Sequence, residues 1–80
     1  ADYQIILEPA SRLLYRKQGD SFEFWANGDT VCISAAFMPY LKQIADGESL
    51  LLDERFNEAD ILEDIALLLN NAIVMLLPPN

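Results

Sequence analysis

The chain of 80 residues contains no histidine. That absence removes Ser-His and Cys-His nucleophile pairs, the two-histidine-one-carboxylate iron site and every histidine-containing zinc site. It has one cysteine, Cys32, so no internal disulfide and no multi-thiolate metal site can form, and no oxidising compartment is implied. Basic residues are scarce, five against thirteen acids, for a net charge of −8. A phosphate backbone or an anionic membrane calls for the opposite balance. The three glycines, Gly19, Gly28 and Gly47, are far apart, which excludes a phosphate-binding glycine loop. Apolar runs stop at about six residues, against the roughly 20 of a membrane span. The opening ADYQIILEPA has no basic n-region, so no secretory signal is expected and a cytoplasmic location is.

What is present is a folding composition. Hydrophobic residues make up 52%, enough for a core, and the length suits one domain over residues 1–80. Charge is unevenly spread. Through residue 45 five acids face four bases, while residues 46–80 hold eight acids and only Arg55.

The front half reads as strands. Residues 3–7 are β-rich and stop before Pro9, which cannot donate to a ladder. A meander is expected near 12–18, 21–26 and 30–34, with turns at Gly19-Asp20 and Asn27-Gly28. The second is a type I′ hairpin signal, because both residues tolerate positive φ. The back half reads as helix. Phe37, Tyr40, Leu41 and Ile44 recur at helical spacing, with Ser34 as the expected N-cap, Pro39 in the first turn and Gly47 just past the end. Residues 48–52 are a connector or short strand. Asn57 and Asp60 have capping-box spacing ahead of a second helix, in which Leu62, Ile65 and Leu69 are expected to be core. Asn70-Asn71 ends it, and residues 72–77 form a last strand able to pair with the meander. The fold class expected is α+β and winged-helix-like: a small antiparallel β-meander, two helices and a terminal strand.

Few residues invite chemistry. Glu58, Asp60, Glu63 and Asp64 crowd the start of the second helix, where its dipole favours negative charge. They lack the glycine and alternating oxygen ligands of a calcium loop. A docking face for a basic partner is the functional reading, formed by Asp53, Glu54, Glu58, Glu63 and Asp64; plain solvation is the other. Cys32, between Val31 and Ile33, is expected to be structural. Phe22, Phe24 and Trp25 suit packing better than base stacking, with only Arg12, Arg16 and Lys17 nearby to supply positive charge. No catalytic, cofactor-binding or metal-binding residue is assigned.

Glu8-Pro-Ala-Ser-Arg12, Phe24-Trp-Ala-Asn-Gly28, Pro39-Tyr-Leu41 and Leu68-Leu-Asn-Asn-Ala-Ile-Val74 together carry a resemblance. Over roughly residues 8 to 77 the chain resembles the C-terminal winged-helix domain of bacterial cupin-type, JmjC-like ribosomal-protein oxygenases. Those enzymes use 2-oxoglutarate and iron(II) to hydroxylate an arginine of a large-subunit ribosomal protein. The resemblance implies that this chain is the C-terminal piece of a larger cupin protein, which a start at Ala1-Asp2 without methionine would suit. It places the iron-binding His-x-Asp and distant histidine in a preceding barrel. None of those positions occurs here, so iron and 2-oxoglutarate are implied for the parent and no cofactor for this segment. The partners it implies are the parent cupin domain and a basic ribosomal protein or peptide, with no DNA and no membrane. Two alternatives share the element order. Peptide-binding winged-helix modules of peptide-modification systems would leave a meander edge open, whereas a tail domain would show an apolar patch for its parent. A DNA-binding winged helix would need a basic recognition helix, and the second helix here is acidic.

Overall fold

The computed structural model describes residues 2–79. Its elements run β1 (Gln4–Leu7), β2 (Leu13–Gln18), β3 (Ser21–Ala26), β4 (Asp29–Val31), α1 (Met38–Ala45), β5 (Leu50–Leu51), a 3₁₀ turn (Glu54–Phe56), α2 (Ala59–Asn70) and β6 (Val74–Leu77). The α+β, winged-helix-like order is the one expected. The pairing is not. The strands form two antiparallel three-stranded sheets, β2-β3-β4 and β5-β1-β6. The terminal strand pairs with β1, from Gln4 opposite Leu77 to Leu7 opposite Val74, and not with the meander.

Turn chemistry builds the meander. Asn27 (φ 53°) and Gly28 (φ 92°) both sit at positive φ, as a two-residue type I′ turn requires. Asn27 is also tied down from outside the turn. Its Oδ1 accepts the Arg12 N–H at 2.9 Å, and its own backbone N–H donates to the Arg12 carbonyl at 2.9 Å. At the other end Gly19 alone has positive φ, in the first central position, the type II′ pattern. Period-two alternation then sorts the faces. Leu13 and Tyr15 stand opposite Ala26 and Phe24 and turn inward, while Leu14, Arg16, Glu23 and Trp25 turn outward. Outside, the Arg16 guanidinium lies 5.6 Å from the Trp25 ring centroid.

Between the sheets and the helices lies one core. Phe24, Phe37 and Phe56 are fully buried with Ile5, Leu41, Ile44 and Leu68. The Phe56 ring meets Phe37 edge-on at 6.0 Å and Tyr40 at 4.8 Å, arrangements that aromatic quadrupoles favour.

Helix ends show most of the local departures. α1 is capped at Phe37, with no side-chain cap, and Pro39 lies in its first turn. Ser34 is not the N-cap, because its side chain is engaged elsewhere. α2 begins after Glu58, again without a side-chain cap, so the expected Asn57 capping box does not form. Both helices end in Schellman motifs. At α1 Glu48 N–H bonds the Gln43 carbonyl and Gly47 N–H bonds that of Ile44. At α2 Ile73 bonds Leu68 and Ala72 bonds Leu69 in the same pattern. The left-handed residue there is Ala72 (φ 55°), not Asn70 or Asn71.

On α2 the buried stripe is Ile61, Asp64, Ile65 and Leu68. Ile65 is core as expected and Leu69 packs against the core half-buried. Leu62 is not core: it is 47% exposed. It lies about 100° round the helix from Ile61, at the edge of the stripe, and the inward position is taken by a carboxylate.

Candidate functional site

That carboxylate is Asp64, only 9% exposed. Its Oδ2 accepts the backbone N–H of Ser34 at 3.0 Å and also the Ser34 hydroxyl. A buried charge is tolerated where hydrogen bonds replace its water. Asp64 is therefore a tether between α2 and the loop entering α1, and it leaves the expected acidic face.

Asp53 is also committed. It caps the 3₁₀ turn by accepting the Arg55 N–H at 3.0 Å, and it accepts from Arg55 Nε at 2.9 Å. The Arg55 side chain and then its backbone N–H hold the Asp53 carboxyl below its ordinary value. Glu54, Glu58 and Glu63 remain exposed. Of the five residues expected on the acidic face, Asp64 is buried and the other four reach the surface to different degrees.

A second ionic group joins the meander to α1. Asp46, at the C-cap of α1, accepts from Lys42 Nζ at 2.9 Å and from the Tyr15 hydroxyl at 2.7 Å. The Lys42 bond first and the Tyr15 bond second lower the Asp46 carboxyl. Lys42 is raised in return, chiefly by the same Asp46 bond. Without these partners an acid at a helix C-terminus would oppose the dipole.

Two open surfaces of the described residues lie apart from these ionic groups. One is a cleft of about 280 Å³ between β4 and α2, lined by Thr30, Val31, Cys32, Leu67, Asn71 and Ile73 among others. Cys32 is exposed and lies just beyond β4, so the expectation of a structural cysteine within a strand is corrected: the strand ends at Val31. The other surface is the outer face of β5-β1-β6. Leu51 and Leu77 stand on either side of Gln4, and Ile6 stands opposite Met75 in the next row. Leu51 is 44% and Leu77 36% exposed. The strands QIIL, LL and VMLL carry no charge on either face. Their lack of polar alternation was the available sequence signal, since strands with one wet face normally alternate. Nothing comparable in the sequence marks Leu67 or Asn71 as cleft walls.

Iron does not fit these residues. There is no histidine, and among the described residues no three His, Cys, Asp or Glu side chains gather as a metal site. No helix of the described residues is long and apolar enough to cross a membrane.

Residues 2–75 match the family model of the ROXA-like winged helix. No curated protein and no solved structure matches the chain.

Proposed function

The chain belongs to the ROXA-like winged-helix family, and from that membership we propose that it is the non-catalytic accessory domain of a cupin-type ribosomal-protein oxygenase. The iron(II) and 2-oxoglutarate chemistry belongs, in this reading, to a separate barrel, since no residue here suits the metal. The role left for the domain is architectural: it docks on the barrel and presents an acidic surface to a basic ribosomal substrate.

One observation carries this reading, the uncharged outer face of β5-β1-β6. A sheet that faces water on one side carries polar residues there, and this one shows Leu51, Leu77, Ile6 and Met75 around a single Gln4. Charge supports the second half of the reading. Exposed Glu54, Glu58 and Glu63 attract a basic protein mainly by speeding encounter.

The test is the polypeptide encoded upstream of Ala1. A barrel carrying His-x-Asp and a distant histidine supports the proposal, and any other domain there overturns it. Given such a barrel, Leu51→Arg with Leu77→Arg should loosen the two domains in limited proteolysis while leaving this domain folded. An unchanged cleavage pattern would remove docking from the sheet face.

A further inference from the structure

We propose that the cleft between β4 and α2 takes an extended basic segment of another polypeptide, which adds to the open edge of β4 as a fourth strand of the meander. The proposal deepens the accessory role above by giving the basic partner a seat, and it rests on that reading only for the partner's natural identity.

The edge comes first. β4 pairs with β3 and, among the described residues, with no other strand. In a two-residue hairpin the pair flanking the turn, here Ala26 and Asp29, exchanges ladder bonds, and bonded and non-bonded pairs alternate from there. Thr30 therefore turns its N–H and C=O away from β3, toward the free edge. An unpaired edge of this kind is a template for another chain.

Most edges are blunted by proline, by lysine or by a covering element. This one has Asp29, Thr30 and Val31, and its neighbouring space is a cleft. The far wall of that space is α2, where Leu67 is exposed and Asn71 folds back to donate its Nδ2 to the Leu67 carbonyl at 2.8 Å. Val31, Ile73 and Leu67 give the cleft an apolar lining. An added strand would set alternate side chains over them and the others toward water.

Charge chooses the occupant. Asp29 lines the cleft, and Glu63 stands one helical turn before Leu67 on the same stripe of α2. Nothing basic lines it. Three of the five bases are already paired, Arg16 with Glu23, Lys42 with Asp46 and Arg55 with Asp53. A segment alternating arginine or lysine with β-branched residues satisfies the edge, the apolar lining and the charge together. A second copy of this chain does not, since each copy carries −8.

The probe is a short synthetic peptide of alternating arginine and valine, titrated into the isotope-labelled 80-residue chain. Binding at low ionic strength that weakens as salt is added is expected, with the largest amide shifts and new exchange protection at Thr30 and Cys32. Thr30→Pro removes the outward N–H and should weaken binding about tenfold, the equivalent of one or two lost hydrogen bonds. Should that variant misfold, Leu67→Arg keeps the helix, blocks the cleft with a like charge and should weaken binding similarly. No binding at low salt overturns the proposal. So do shifts confined to Leu51 and Leu77, or full affinity in a folded Leu67→Arg chain. Because the peptide assay needs no barrel, its outcome is separate from the upstream-domain test of the accessory role.

Discussion

The Asp64 carboxylate holds Ser34 by two bonds at once, one from its backbone N–H and one from its hydroxyl, across 30 positions of sequence. Asp64 is the one charged side chain among the buried described residues, and it sits on the α2 stripe between Ile61 and Ile65. Removing the acceptor leaves a part-buried N–H and hydroxyl with nothing to meet. Asp64→Ala should therefore cost about 1–3 kcal/mol, the range for an orphaned buried partner. Ser34→Ala loses only the hydroxyl bond and should cost less. Urea unfolding of both single variants and the double variant would show a positive coupling. Additive losses would mean that the two residues do not depend on each other.

The same residue explains why the second helix was only partly legible in its sequence. Four acids in its first turns satisfy the dipole, and all four read equally as solvated. Which of them turns inward depends on the residue 33–34 loop, a contact far away in sequence. Spacing alone puts Ile61, Leu62, Ile65, Leu68 and Leu69 in one helical phase, but the buried Asp64 centres the stripe on Ile61, Ile65 and Leu68 and leaves Leu62 outside it. Ile65→Ala should cost about 2–5 kcal/mol, as large-to-small core substitutions do. Leu62→Ala should fall within about 0.5 kcal/mol of the native chain. Thermal melts of both variants decide the helix phase, and equal losses would refute it.

Helix C-termini give a matched comparison. Gly47 (φ 92°) and Ala72 (φ 55°) occupy the same Schellman position, yet only one is glycine. A left-handed alanine carries about 1–2 kcal/mol of steric strain, offset in part by the entropy glycine would lose on folding. Ala72→Gly should stabilise by about 0.5–1 kcal/mol. Gly47→Ala should destabilise, and purely through its backbone, since a Cβ there meets nothing within 4 Å. A drop in melting temperature for Ala72→Gly would mean that the methyl group matters to α2's end.

Local chemistry was legible where a few adjacent residues decide the outcome. Asn27-Gly28 needs no distant partner to make its turn, and Gly47 needs only its own helix. The pairing of β6 with β1 was hidden because the partners lie far apart in sequence, from Leu7 with Val74, 67 positions away, to Gln4 with Leu77, 73 positions away. Cleft walls were hidden for the same reason. Thr30 and Leu67 become neighbours of one space only after the meander and α2 pack.

Asp46 makes the stability of the meander-to-α1 junction depend on acid. Its carboxyl is lowered from an ordinary value of 3.8 by Lys42 first and by the Tyr15 hydroxyl second. A group lowered on folding contributes stability above its unfolded pKa, and that contribution is lost as pH falls through the folded value. Asp46→Asn should thus be less stable than the native chain at neutral pH, with the difference closing below about pH 4. The effect should be small and weaken with salt, because the group is exposed. A difference that persists unchanged in strong acid would mean that the amide, and not the charge, is at fault.

The acidic helix also predicts what the fold does not do. A DNA-binding winged helix inserts a basic recognition helix into the major groove. α2 carries Asp60, Glu63 and Asp64 and no lysine or arginine in any of its 12 residues. Of the five bases, Arg16, Lys42 and Arg55 are paired with acids on their own surfaces. Affinity for duplex DNA rises with the number of phosphates neutralised and falls steeply with salt. With net −8 the electrostatic term is repulsive before any base is met. Fluorescence anisotropy of a labelled duplex should show no binding at about 0.15 M salt, where Debye screening leaves only close contacts. Binding that strengthens as salt is lowered and disappears in an Arg12→Glu, Lys17→Glu variant would instead place a working basic surface at Lys17 of β2 and at Arg12 just before that strand, two cations in no salt bridge among the described residues.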